Sequence, residues 1–271
     1  MRVAFSNIAW DVSEDDAIAG VLHAAGVDAV EIAPSKLWAR PGEASADDIA
    51  AARAAWEKRG LRIVSLQALL FGRPELTLFD DEDSLERTIE YLGRIFRLAA
   101  GLGAGPLVFG SPRNRLMRGR PRVEAMDLAV AVFRRLGDIA QQAGVVLGLE
   151  PNAEDYGCDF VTNTTVGVEV VRRVDHPAVR LHLDAGVMAM NLEDPARAMA
   201  AAAPHLVHFH ASEPNLAPVG SGGADHAAIG RALRSNGYRG FVSVEMRGGK
   251  AGGSVDAVKR ALEVVTKAYG D

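Results

Sequence analysis

The chain has 271 residues and a mass of 28.8 kDa, and its 48% hydrophobic and 24% charged content excludes a disordered polymer. Thirty-five acidic against 30 basic residues leave a net charge of −5, so no general basic excess is available for a nucleic-acid backbone. A single cysteine, Cys158, rules out an internal disulfide or a zinc-type cysteine pair; no apolar window is long enough for a bilayer and the first residues lack a secretory signal, so a cytoplasmic protein with no membrane or nucleic-acid partner is expected.

Eight short runs read as strands. They begin near Arg2 (RVAFSN), Asp28 (DAVEIA), Leu61 (LRIVSLQ), Pro106 (PLVFG), Val145 (VVLGLEP), Val179 (VRLHLDA), His205 (HLVHFHA) and Gly240 (GFVSVEM). All are rich in Val, Leu and Ile and bounded by Gly, Pro or Asp. Their starts lie about 34 residues apart on average, room for a strand, a helix and two loops.

The intervening stretches carry helical periodicity. Ser13, followed by Glu14, Asp15 and Asp16, predicts an N-cap with acidic residues in the first turn. One helix is expected from Ser84 to about Ala100 with Gly101 as its stop, and another from Arg122 to Ala143 ended by Gly144. Gly26, Gly60 and Gly144 stand where a helix must turn tightly into the next strand, a place for a left-handed residue. Eight such units without a dividing linker predict an α/β protein with one domain over residues 1–271, a single (β/α)8 TIM barrel. An open doubly wound sheet is the runner-up, but it needs a Gly-rich turn after the first strand, and this chain has Asn7-Ile8-Ala9-Trp10-Asp11 there.

Barrel enzymes place their chemistry at the C-terminal ends of the strands. The first four ends here are Asn7, Glu31, Gln67 and Gly110; the last four are Glu150, Asp184, His210 and Glu245. In LGLE, LHLD, VHFH and VSVE the end residue shares a strand face with Gly148, His182, His208 and Ser243. Leu149, Leu183, Phe209 and Val244 take the other face, toward the helices. The four end groups therefore point together into the barrel mouth. Three carboxylates and an imidazole cannot stay ionised at close quarters without a cation. A divalent metal is expected on Glu150, Asp184, His210 and Glu245, with manganese or magnesium favoured over cobalt or zinc by the oxygen-rich donor set. For any one of the four, the plainer reading is a salt bridge to an arginine at the rim.

The set in its contexts GLEPN, HLDAG, HFHASEP and VEM, spaced by 34, 26 and 35 residues, resembles the metal site of the xylose isomerase-like barrels, the sugar phosphate isomerase/epimerase superfamily. The spacing is most similar to that of its ketose 3-epimerases. The resemblance implies that a metal chelates a ketose carbonyl and the adjacent hydroxyl, and that Glu150 and Glu245 exchange a proton beside the carbonyl through an enediolate. Carboxylates on opposite sides can take a proton from one face and return it to the other, which inverts the carbon. Two departures stand out. Family epimerases carry a His shortly after the metal-binding Asp, where this chain reads Ala185-Gly186-Val187-Met188, and an Arg after the metal-binding His, where it reads Glu213-Pro214-Asn215. The substrate implied is a small keto-sugar or sugar derivative other than an unmodified ketohexose.

Several further residues are candidates. His182 and His208 read equally as groups that orient a ligand carboxylate and as core histidines. Glu31 is expected to orient a substrate hydroxyl or to pair at the rim. Trp10, Trp38 and Phe71 form either an apolar wall against a sugar or packing between loops. Residues 218–223, PVGSGG, read in the first place as a flexible loop, with an anion-binding nest of backbone N–H groups as the alternative. The run Arg113, Arg115, Arg118, Arg120 and Arg122 is the best local argument for an anionic substrate, and equally suits a solvated loop or a contact in a homo-oligomer. Two rival functions are a metal-dependent apurinic endonuclease and a non-catalytic sugar-binding barrel. The first needs histidines at earlier strand ends, where Gln67 and Gly110 stand.

Overall fold

Strands this apolar must be covered on both faces, and here they achieve it by closing on themselves. The computed structural model describes residues 1–248 and 253–270. The strands are β1 (Arg2–Ser6), β2 (Ala29–Ile32), β3 (Arg62–Leu66), β4 (Pro106–Phe109), β5 (Val146–Leu149), β6 (Val179–Asp184), β7 (Leu206–Ser212) and β8 (Phe241–Glu245). They pair in parallel in chain order and β8 returns to β1, giving a closed (β/α)8 TIM barrel. Around it, among the described residues, lie α1 (Asp15–Ala24), α2 (Ala46–Lys58), α3 (Glu82–Leu102), α4 (Arg122–Ala143), α5 (Thr164–Val174), α6 (Ala185–Met190), α7 (Pro195–Ala202), α8 (His226–Ser235) and α9 (Ser254–Tyr269). No described helix is long and apolar enough to cross a membrane.

All eight strands begin within one residue of the runs that predicted them. Gly26, Gly60 and Gly144 adopt φ of 74°, 76° and 73°, the left-handed turns expected of them. Two helix boundaries differ. Asp11, not Ser13, caps the entry to α1: its carboxylate accepts the Ser13 N–H at 2.9 Å and the Ser13 hydroxyl at 2.6 Å. Helix α3 starts earlier, on an Asp81 cap, and runs through Gly101 to a left-handed Gly103 with φ 82°. Gly101 is small for another reason: a Cβ there would stand 2.8 Å from Ile49 Cγ2 of α2.

The two strand faces divide as the alternation requires. Leu149, Leu183, Phe209 and Val244 are buried in the layer between barrel and helices, Phe209 against Tyr269 of α9 with ring centroids 6.2 Å apart. Inside the barrel, Ala4, Ala29 and Val64 form a small apolar floor. Above it the interior turns polar. Gly148 makes this possible, since a Cβ would lie 3.3 Å from His182 Cβ and crowd the imidazole.

Helical glycines report local packing with opposite signs. Gly20 of α1 is exposed with open space around it, whereas a Cβ at Gly230 of α8 would overlap the Ala268 carbonyl oxygen of α9. Gly20→Ala is expected to stabilise the chain by up to about 1 kcal/mol from helix propensity. Gly230→Ala is expected to destabilise it by about 1–3 kcal/mol through overpacking. Denaturant unfolding of the two variants checks both signs.

Candidate active site

The ends of β5 to β8 bring Glu150, Asp184, His210 and Glu245 together. One donor atom from each lies within 4.8 Å of the others, and all four residues are buried. Asp184 also caps α6, its Oδ1 accepting the Val187 N–H at 2.7 Å while Oδ2 accepts the Ser212 hydroxyl at 2.5 Å. Glu150 is held through its main chain, because its carbonyl accepts Nη2 of the fully buried Arg115 at 2.8 Å. The same Nη2 donates to Asn152 Oδ1 at 2.7 Å. His210 places Nδ1 3.2 Å from Glu245 Oε2 and 3.9 Å from Asp184 Oδ2, without a hydrogen bond to either.

Glu31 is not at the mouth. It lies wholly inside the barrel, beneath the four end groups. Its Oε1 is 2.9 Å from His210 Nε2, 3.2 Å from the Ser243 hydroxyl and 3.4 Å from Gln67 Nε2; its Oε2 takes Ser65 Oγ at 2.7 Å and His208 Nε2 at 2.9 Å. Strand β2 continues one residue past it, so the alternation turns the side chain inward and down instead of onto the rim. A carboxylate facing one imidazole nitrogen leaves the other for a metal, the usual carboxylate–histidine arrangement. His208 is thus part of the support beneath the site. His182 Nε2 lies 3.7 Å from Glu150 Oε1.

The electrostatics of the metal-free cluster follow from burial and crowding. Burial, then the charges of Glu245 and Asp184, push Glu150 up to about 8; burial and Glu245 push Asp184 up to about 6 against the hydrogen bonds it accepts. Burial opposes the charged form of His210, but Glu31 and Glu245 outweigh it and hold the imidazole well above its ordinary value. Burial likewise opposes Glu31, yet His210 and His208 keep it well below the usual carboxylate range. His182 is kept neutral by burial beside two other imidazoles. Three crowded oxygen donors and a His210 imidazole, whose Nδ1 faces them while its Nε2 makes an ion-pair contact with Glu31 and neither nitrogen makes a hydrogen bond, fit a divalent ion.

Above the cluster opens a cavity of about 360 Å³, lined by Glu150, Asp184 and Glu245 together with Gln67, Asn152, Tyr156, Asn215 and Arg247. Tyr156 accepts the Asn215 N–H at 2.8 Å, and burial pushes its hydroxyl up to about 12, so it keeps its proton. Four non-glycine residues of the lining, Ala68, Ser111, Asn215 and Leu216, have φ between 44° and 61°. Each left-handed residue costs about 1 kcal/mol or more, so the mouth loops are held in shape by their surroundings.

Other sequence candidates fall elsewhere. None of the five arginines of the 113–122 run lines the cavity. Arg115 supports Glu150, Arg118 pairs with Asp80 at 2.9 Å, and Arg120 donates to the Phe79 carbonyl at 2.7 Å. The N–H groups of Gly220, Gly222, Gly223 and Ala224 are taken by the buried Glu213 carboxylate at 2.7–3.4 Å, so residues 218–223 form no open anion nest. Trp10 is buried and donates to Asp15, Phe71 is 73% exposed, and neither they nor Trp38 line the cavity. Conversely, Asn152, Ser212 and Arg247 each stand two residues beyond a strand-end donor, and continuing the alternation past Glu150, His210 and Glu245 finds all three.

A closed barrel with donors on its last four strands defines a class. The chain matches the xylose isomerase-like TIM barrels over residues 20–268 and belongs to that family. It is similar to an L-ribulose 3-epimerase of Methylomonas sp. (strain DH-1), 29% identical over 117 residues, which is 43% of this chain and 41% of the relative. It is also similar to the D-psicose 3-epimerase of Ruminiclostridium cellulolyticum, 30% identical over 134 residues, 48% of this chain and 45% of the relative. The matched stretches thus span somewhat under half of these relatives. A solved D-psicose 3-epimerase structure, described as determined in the presence of D-fructose, shares the fold over 100% of both chains with a TM-score of 0.81 at 19% identity.

Two outcomes are expected from this geometry. A Cβ at Gly110 would overlap Glu150 Oε2 and stand 3.4 Å from Asn152 Oδ1. Gly110→Ala should therefore weaken Mn²⁺ binding at least tenfold while circular dichroism and thermal unfolding stay near wild type; unchanged affinity contradicts the placement. Secondly, an ion must displace the proton that Glu150 keeps up to about 8. Because His210 is also held protonated and must free Nδ1, Mn²⁺ affinity should strengthen by about tenfold or more per pH unit between about 6 and 8. Calorimetric titrations across that range, with proton release read from two buffers, check the sign.

Proposed function

We propose that the chain is a divalent-metal-dependent sugar isomerase or epimerase, moving a proton on the carbon beside the carbonyl of a keto-sugar or sugar derivative in the manner of a ketose 3-epimerase. The observation that carries this reading is the convergence of Glu150, Asp184, His210 and Glu245 under one cavity, in a chain whose similar relatives include 3-epimerases. The four side chains would hold the ion, with Mn²⁺ or Mg²⁺ suited to the donors. When bound, the ion polarises the carbonyl and offsets the charge that develops on its oxygen.

The remaining work falls to side chains. Glu150 and Glu245 come from β5 and β8, with β6 and β7 between them, so they approach a bound ketose from different sides. One, as the carboxylate, would take the proton from one face, and the other, as the acid, would deliver its own proton to the opposite face. Asp184, fixed by Val187 and Ser212, and His210, fixed by Glu31, stay in place during the exchange. Tyr156, its oxygen already accepting from Asn215, has its own O–H to donate to a substrate oxygen. Asn152, clamped through its carbonyl oxygen by Arg115, has its amide N–H groups to do the same.

The test is proton–deuterium exchange in D₂O, followed by NMR over a panel of ketoses with the Mn²⁺-loaded chain. Exchange beside the carbonyl with formation of an epimer or aldose is expected, and its loss on chelation. Glu150→Gln and Glu245→Gln should each lower the rate by about 10²- to 10⁴-fold, with metal content measured in parallel. Near-normal turnover in either metal-loaded variant overturns the assignment.

A further inference from the structure

Among the described residues lining the cavity, Arg247 is the only lysine or arginine. Its guanidinium is exposed and has no carboxylate within ion-pair distance among the described residues. In the loop after β4, Arg115, Arg118 and Arg120 are engaged, and the exposed Arg113 does not line the cavity. The segment bearing Arg247 is anchored. Its N–H donates to the Leu216 carbonyl at 2.9 Å, and the next N–H, of Gly248, donates to the Ile8 carbonyl at 3.0 Å. Gly248 lies flat on the chain there, where a Cβ would meet the Ala9 carbonyl carbon at 3.0 Å.

From this placement, and resting on the isomerase reading above, we infer that Arg247 recognises an anionic terminal group, a carboxylate or a phosphate, on the keto-sugar. Two residues beyond Glu245, its Cα stands at most about 7 Å further along the chain. Its long side chain therefore reaches atoms several bonds from the carbons that lie over Glu150 and Glu245. A divalent ion among three carboxylates leaves the cluster with residual negative charge, so a second anion in a cavity of about 360 Å³ needs its own cation. Arg247 supplies it in a form matched to the planar or tetrahedral oxygens of such groups. The five arginines that the sequence offers for this role do not line the cavity, and the one that does follows a strand-end donor.

The experiment compares three matched substrates on the Mn²⁺-loaded chain: a 2-ketohexose, the corresponding keto-uronate and the ketohexose 6-phosphate. At least one anionic member should exceed the neutral sugar tenfold or more in kcat/KM, and which one distinguishes carboxylate from phosphate. In Arg247→Met that ratio should fall at least tenfold, with Arg247→Lys in between. A wild-type ratio below ten for both anions, or a ratio that survives in Arg247→Met, overturns the inference. Calorimetric binding of glucitol and glucitol 6-phosphate gives a readout that needs no turnover. The phosphate should bind at least tenfold tighter to wild type and lose that advantage in Arg247→Met; equal binding of the two polyols overturns phosphate recognition. If no ketose exchanges its proton yet the polyol pair still separates through Arg247, the isomerase reading fails and the anion site stands.

Discussion

Three carboxylates packed under one cavity repel one another, and the upper half of this barrel is organised around containing that repulsion. Two of the three are held by the protein itself: Asp184 by a helix N-terminus and Ser212, Glu150 by a buried guanidinium on its own carbonyl. His210 is drawn toward the cluster on one nitrogen and anchored to Glu31 on the other. The cost of burying Glu31 is offset locally by the His208 imidazole, two hydroxyls and an amide, and by an ion-pair contact with His210. Side chains held in this way would lose little conformational freedom on taking up a cation.

The fold was almost fully legible in the sequence because its signals are local. Short Val/Leu/Ile runs, their two-residue alternation and the left-handed glycines after helices each depend on a few neighbours. The inward set at the last four strand ends was legible for the same reason, since parity alone puts Glu150, Asp184, His210 and Glu245 on the face of Gly148 and His182. What was not legible depends on depth and on distant partners. Glu31 reads as a strand end until the barrel closes and shows that β2 continues past it. Arg115 reads as one of five similar arginines, and only the approach of β5 to the loop after β4 selects it for the Glu150 carbonyl.

The glycine-rich stretch after β7 shows the same limit from the other side. Its backbone donors do bind a carboxylate, but that carboxylate is Glu213 of the chain itself. Composition points to the right chemistry here and cannot say whether the anion is internal or bound. Likewise the strained φ values of Ala68, Ser111, Asn215 and Leu216 mark the cavity wall clearly in three dimensions, though nothing in those residue types announces it.

The barrel also divides its labour along the chain. All four donors belong to β5–β8, whereas Gln67, Ala68, Gly110 and Ser111, which form part of the cavity wall, follow β3 and β4. The deep ties from the first half to this set are Glu31, which faces His210, and Arg115 and Gly110, which follow β4 and meet Glu150. The loops of the first half thus shape the cavity wall, and through these three residues they also help to position the side chains beneath it. A loop graft that keeps Glu31, Gly110 and Arg115 preserves the seating of His210 and Glu150, and one that replaces any of the three transplants the wall without the floor it stands on.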